Sequence, residues 1–174
     1  MIADTEAFWY DEDRLLACIG DWMFEKILAC LDGSPLAEQI LPHLIGGGFG
    51  KVILLKVVDT SVINLPIGVP GGPAIPVRTK SMEKRFQDEL SRMPDYLEKL
   101  AQPLRDKGLD VECVVLQGIP SETIITYAKE NKVNLIAMAT HGHSGLRQVV
   151  MGSTVEYVVK HGGLPVLLVT PQKR

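Results

Sequence analysis

The sequence predicts an α/β fold, a parallel sheet covered by helices on both faces. Three observations predict it. Short apolar runs alternate along the chain with longer segments of helical period. The apolar runs are hydrophobic throughout rather than at every second residue, as strands covered on both faces require. The runs are joined through helical segments rather than two-residue turns, so successive strands run parallel.

The first strand is read over Lys26 to Leu31 and stops at Asp32-Gly33-Ser34. Ser34 suits an N-cap and Pro35 the first helical position. Leu36, Ile40 and Leu44, with Ala37, Leu41 and Ile45, then repeat at helical spacing until Gly46-Gly47-Gly48 ends the helix. Lys51 to Asp59 is a second strand. The next twenty residues are rich in Pro and Gly and have no period, which predicts a structureless loop, functional or disordered. A helix follows over Ser81 to Lys107, its apolar stripe running from Met82 through Phe86, Leu90, Met93, Leu97 and Leu100 to Leu104. Pro94 and Pro103 are expected to kink or split it. Val111 to Gly118 is a third strand, Pro120 to about Asn131 a helix, and Asn134 to Thr140 a fourth strand. A last helix opens at Gly152 or Ser153 and ends near Gly162-Gly163, and Pro165 to Thr170 is a fifth strand.

Composition narrows the function classes. The chain has 174 residues, 46% of them hydrophobic and 22% charged, enough for one domain with a full core. A net charge of −3 gives no broad basic footprint for nucleic acid. Cys18, Cys30 and Cys113 form no CxxC pair, and Cys30 and Cys113 lie inside apolar runs, so they read as reduced core thiols. No apolar stretch approaches the ~20 residues of a membrane span. The N-terminus is acidic where a secretory leader is basic, and a cytoplasmic protein is the expectation.

Two strand ends carry residues suited to a ligand. In an open parallel sheet, ligands bind beyond the carboxyl ends of the strands where the strand order reverses. The first strand ends in Asp32-Gly33-Ser34. The fourth ends in Ala139-Thr140-His141-Gly142 and leads to Gly152-Ser153 at the mouth of a helix. A phosphate needs converging N–H donors with no Cβ in the way. Glycines permit that approach, and a helix N-terminus adds unpaired N–H groups and roughly half a positive charge. Ser144 and Ser153 offer hydroxyl donors, and Asp32 can accept from ribose hydroxyls or an adenine amino group. On the residues alone two readings stand, a nucleotide site or a plain loop before a capped helix. The cluster Gly46 to Val52 lacks P-loop spacing and lies between a helix and a strand, the reverse of a P-loop, so it reads as a helix stop.

"MFEKILACLDGS", "VILLKVVD", "GIPSETIITYAKENKVNLIAMATHGHSGL" and "MGSTVEYVVKHGGLPVLLV" together resemble the universal stress protein family, the match running from Met23 to Pro171. The resemblance implies a Rossmann-like three-layer sandwich with five parallel strands in the order 3-2-1-4-5. It also implies a homodimer, commonly formed through the last strand, here Val166 to Val169. One branch of the family binds ATP through a glycine, two residues, a glycine, nine residues, then Gly-Ser or Gly-Thr. Here Gly142, Gly152 and Ser153 match, Ala139 stands at the first glycine, and His143 stands where a basic residue is frequent. In the second strand, the family usually has His-Val before the final residues.

By that resemblance Asp32 would contact the adenosine, Val57 would meet adenine through its backbone, and Met138 would line the adenine pocket. Thr140, His141, Gly142, Gly152, Ser153 and Thr154 would surround ribose and phosphates. Gly33 and Ser34 beside Asp32, and Ala139, His143 and Gly145 along the loop, complete the nucleotide-binding set. The expected ligand is ATP, or ADP or AMP, with Mg2+ or Mn2+ bridging phosphate oxygens.

Residues of no other kind stand out as catalytic. No general base or arginine finger is evident, so at most weak ATP hydrolysis is expected. His141 and His143 lack the partners of a metal site, and Arg147 is either a phosphate contact or solvated. The rival to a nucleotide-binding regulator is a dimeric interaction module that binds no nucleotide, which Ala139 favours. Residues 1–22 carry four aromatics in an acidic setting and read as an N-terminal extension, 23–171 as the nucleotide-binding domain, and 172–174 as a tail.

Overall fold

A computed structural model describes residues 24–63, 66–67, 75–76, 79–140 and 152–170. Five strands form one sheet: β1 (Phe24–Leu31), β2 (Phe49–Asp59), β3 (Asp110–Gly118), β4 (Leu135–Ala139) and β5 (Val166–Val169). Their order is β3-β2-β1-β4-β5, every pairing is parallel, and β1 is central. One row across the sheet reads Val166, Ile136, Leu28, Ile53, Glu112. The order reverses between β1 and β4, which opens a crevice at their carboxyl ends.

Side chains alternate between the two faces of each strand. Ile27, Ala29 and Leu31 of β1 and Val52 and Leu54 of β2 pack on one face against Ile40 and Leu44 and against α1 (Lys80–Arg105) through Leu97, Ala101 and Leu104. Leu28, Cys30, Ile53, Leu55 and Val57 pack on the other face against α2 (Pro120–Glu130) and α3 (Ser153–His161) through Ile124, Ile125, Ala128, Val155 and Val158. This is the expected three-layer arrangement.

The chain departs from expectation in three places. After β1, residues Ala37–Leu44 form a 3-10 helix rather than an α-helix. Pro42 explains part of this, since it has no N–H to give to the carbonyl four residues back and its ring crowds that carbonyl. Bonds spanning three residues take over, from Gln39 N to Leu36 O (3.2 Å) and Ile45 N to Pro42 O (3.3 Å). Ser34 still caps the segment, its Oγ accepting from Ala37 N at 3.2 Å. Second, α1 is not split, for it runs unbroken through Pro94 and Pro103. Both prolines are exposed, where water can satisfy the freed carbonyls, while Phe86, Leu97, Ala101 and Leu104 hold the buried side. Third, the described residues of the Pro/Gly-rich connection are not without structure. They form a 3-10 turn, Ser61–Ile63, and a short antiparallel ribbon pairing Pro66 with Pro76 and Ile67 with Ile75.

Candidate functional site

A pocket of about 260 Å³ lies at the carboxyl ends of β1, β2 and β4. Its apolar wall comes from Cys30, Leu55, Val57, Ile124, Met138 and Val155, and its polar groups are Asp32, Lys56, Asp59, Glu89 and Thr154. A mostly apolar lining with a few polar groups is the usual make-up of a small-molecule site. Burial pushes the Cys30 thiol up to about 12, so it contributes a neutral surface to the wall.

The turn after β1 is specifically built. Asp32 is exposed at the mouth, and its Oδ1 accepts from Ser34 N at 2.8 Å. Gly33 has φ +91°, a conformation that side chains with a Cβ rarely adopt. Below the turn, the Lys56 Nζ donates to the Asp32 backbone carbonyl at 2.8 Å and pairs with Glu89 Oε1 of α1 at 3.0 Å.

On the β4 side, Met138 and Ala139 line the pocket. Ala139 is extended strand paired with Val169, and among the described residues only Lys132 has a positive φ outside glycine. The methyl group of Ala139 therefore costs no backbone strain. Thr140 is buried, and its N–H donates to Val169 O at 2.8 Å while its Oγ1 lies 3.5 Å from the same oxygen. It ties β4 to β5 and is not among the residues lining the pocket. Gly152 is the N-cap of α3 with φ −60° and ψ 153°, and among the described residues no side-chain bond to that end is seen. Thr154 and Val155 in its first turn line the pocket. Ser153 starts the helix one residue before them.

Of the expected residues, the structure thus gathers Asp32, Val57, Met138, Ala139 and Thr154 around one pocket. Gly33 and Ser34 shape the turn beside it. His141, Gly142, His143 and Gly145 lie outside the described residues.

A wider groove of about 930 Å³ adjoins this pocket, sharing Asp32 and Glu89 with it and running along α1. Arg85, Arg92 and Lys99 line it, but so do Asp32, Asp88, Glu89 and Asp95. Carboxylates outnumber cations there, so it offers no net positive seat for phosphate.

The family model for the universal stress protein family matches residues 23–170. The chain belongs to the universal stress protein family. Among its relatives is the universal stress protein MJ0577 of Methanocaldococcus jannaschii, 33% identical over 161 residues that span 84% of this chain and 95% of the relative. A solved structure of MJ0577 superposes with a TM-score of 0.67 at 30% identity, covering 87% of this chain and 99% of that one. A universal stress protein family protein from Arabidopsis thaliana, solved with AMP bound, shares the fold at 13% identity and a TM-score of 0.58, covering 85% of this chain and 92% of that one. The matched span takes in all five strands and both sides of the crevice.

Sequence reasoning missed three polar residues of this universal stress protein's pocket, Lys56, Asp59 and Glu89. The signal for Lys56 was present. A lysine inside "VILLKVVD", a run read as a fully covered strand, must find partners for a buried ammonium group. Nothing in the spacing of α1 singles out Glu89 from the other acids on that helix.

Proposed function

We propose that this universal stress protein binds an adenine nucleotide, ATP in the first place, in the pocket between β1, β2 and β4. The observation that carries the reading is the meeting of two features at one crevice. A largely apolar pocket of about 260 Å³ reaches the Asp32 turn, and Thr154 and Val155 of the first turn of α3 line it, that turn starting at Gly152, which has no side chain to cap it. In this reading adenine lies between Val57 and Met138, Asp32 accepts from the ribose hydroxyls, and the phosphates meet the N–H groups of Gly152, Ser153 and Thr154. The N-terminal end of α3 adds its partial positive charge there. The segment holding His141, Gly142, His143 and Gly145 completes the phosphate side, and Mg2+ or Mn2+ is held through phosphate oxygens. Thr140 acts from behind, fixing the end of β4. Residues 23–171 form the binding domain, 1–22 an extension and 172–174 a tail, and two copies pair through β5.

The test is mass spectrometry of small molecules released by denaturing the freshly purified full chain, beside a Gly142→Asp variant. The expected result is ATP or ADP near one per chain, lost in the variant, since a carboxylate at that position repels phosphate. Nucleotide retained equally by the variant would remove the phosphate loop from the site.

A further inference from the structure

Lys56 lies in β2 next to Leu31, the last residue of β1, in a stretch where Ile53, Leu54 and Leu55 are almost wholly inaccessible. It is itself only 6% exposed. A buried ammonium group is stable only when its hydrogen bonds are met. Here it takes one partner from the β1 turn, the Asp32 carbonyl at 2.8 Å, and one from α1, the Glu89 carboxylate at 3.0 Å. The Asp32 carboxylate is in turn fixed by its own turn, through Ser34 N at 2.8 Å and the left-handed Gly33. The chain of contacts runs from α1 through Lys56 to the backbone of Asp32, a residue that lines the pocket.

The geometry points to Lys56 as a positioning residue that aims the Asp32 carboxylate at the ribose diol, so that the site selects ribonucleotides over 2′-deoxyribonucleotides. The inference rests on the nucleotide reading of the pocket. Lys56 lines the pocket, yet the role assigned to it needs no contact of its own with the ligand. Its ammonium is spent on Asp32 and Glu89, and it acts by removing freedom from the turn. An ordered carboxylate accepts from both ribose hydroxyls, and the deoxy sugar leaves one acceptor unmatched.

The experiment compares calorimetric affinities for ATP and 2′-deoxy-ATP in the full chain, in Lys56→Met and in Asp32→Ala. The wild type is expected to prefer ATP by about tenfold. In Lys56→Met that ratio is expected to fall toward one, with ATP affinity falling and 2′-deoxy-ATP affinity nearly unchanged. A purely structural role would weaken both ligands by the same factor and leave the ratio intact. Lys56→Met leaves Glu89 without its cation, so Lys56→Met/Glu89→Leu, which replaces the pair by apolar groups, serves where the single variant does not fold. The same loss of ratio is expected there. A wild-type ratio near one, or a ratio kept by the Lys56 variants and lost in Asp32→Ala, would overturn the inference while leaving nucleotide binding in place. A wild type that binds neither ligand would overturn the nucleotide reading itself and this inference with it.

Discussion

Backbone shape and burial each constrain single residues in and around the sheet. Gly33→Ala meets no close atom, the nearest being Lys56 Nζ at 4.0 Å, yet φ +91° remains unsuited to a Cβ. Its expected cost is about 1–2 kcal/mol in a urea titration. Leu54 is fully buried in the centre of β2, and Leu54→Ala is expected to cost about 2–5 kcal/mol through lost transfer energy and a residual cavity. Cys30 gives a pH prediction. Burial raises its thiol from 9.0 to about 12, so the fold favours the protonated form. Its contribution is fully present below pH 9 and is lost as pH rises toward 12. Tyr96 is pushed up as well, by burial and by the Glu38 carboxylate it bonds at 3.1 Å, and acts in the same direction. The urea midpoint is therefore expected to fall on the alkaline side, and Cys30→Ala to flatten that fall. An alkaline slope identical in wild type and variant would remove Cys30 from the account. At this scale the sequence was informative where a residue type is chemically unusual for its setting. Asp32-Gly33-Ser34 was legible as a turn, which the structure places at the pocket, and Lys56 was legible in principle. Its partner Glu89 was not, because the pairing depends on how α1 lies over the sheet.

At the scale of elements, periodicity located every strand of the sheet and each long helix, since apolar runs and 3.6-residue stripes follow directly from burial. Two of the three misses came from proline. A proline in a sequence breaks hydrogen bonds in a known way, but whether the element survives depends on tertiary packing. Pro42 accompanies a 3-10 helix, whereas Pro94 and Pro103 are absorbed into an unbroken α1. The ribbon at Pro66–Ile67 and Ile75–Pro76 was hidden by its length, two residues on each side, too short for any period to register. Element ends carry their own prediction. Thr79 caps α1 by accepting from Met82 N at 3.2 Å, and Thr79→Ala is expected to lower stability by about 1 kcal/mol in the same titration. No change would mean that the cap is replaced by water.

For the whole molecule, the sheet order was implied by family resemblance and not by periodicity, because strand order is a long-range property that local pattern does not encode. That order matters for function, since it sets β1 beside β4 and so brings Asp32 and Ala139 to one crevice. The same order leaves β5 at an edge with Leu168 exposed, and pairing two copies there would cover it. Sedimentation is expected to report a dimer, and a charge introduced by Leu168→Lys to shift it toward monomer. The central claim is nucleotide binding in the crevice, and titration of Mg-ATP into nucleotide-free full-length chain by calorimetry tests it most directly. The account predicts saturable heat at one ATP per chain, removed by Gly142→Asp. No binding heat at any temperature tested, with ATP raised to about 1 mM, a concentration at which even a weak site of ~4 kcal/mol would be half filled, would contradict it.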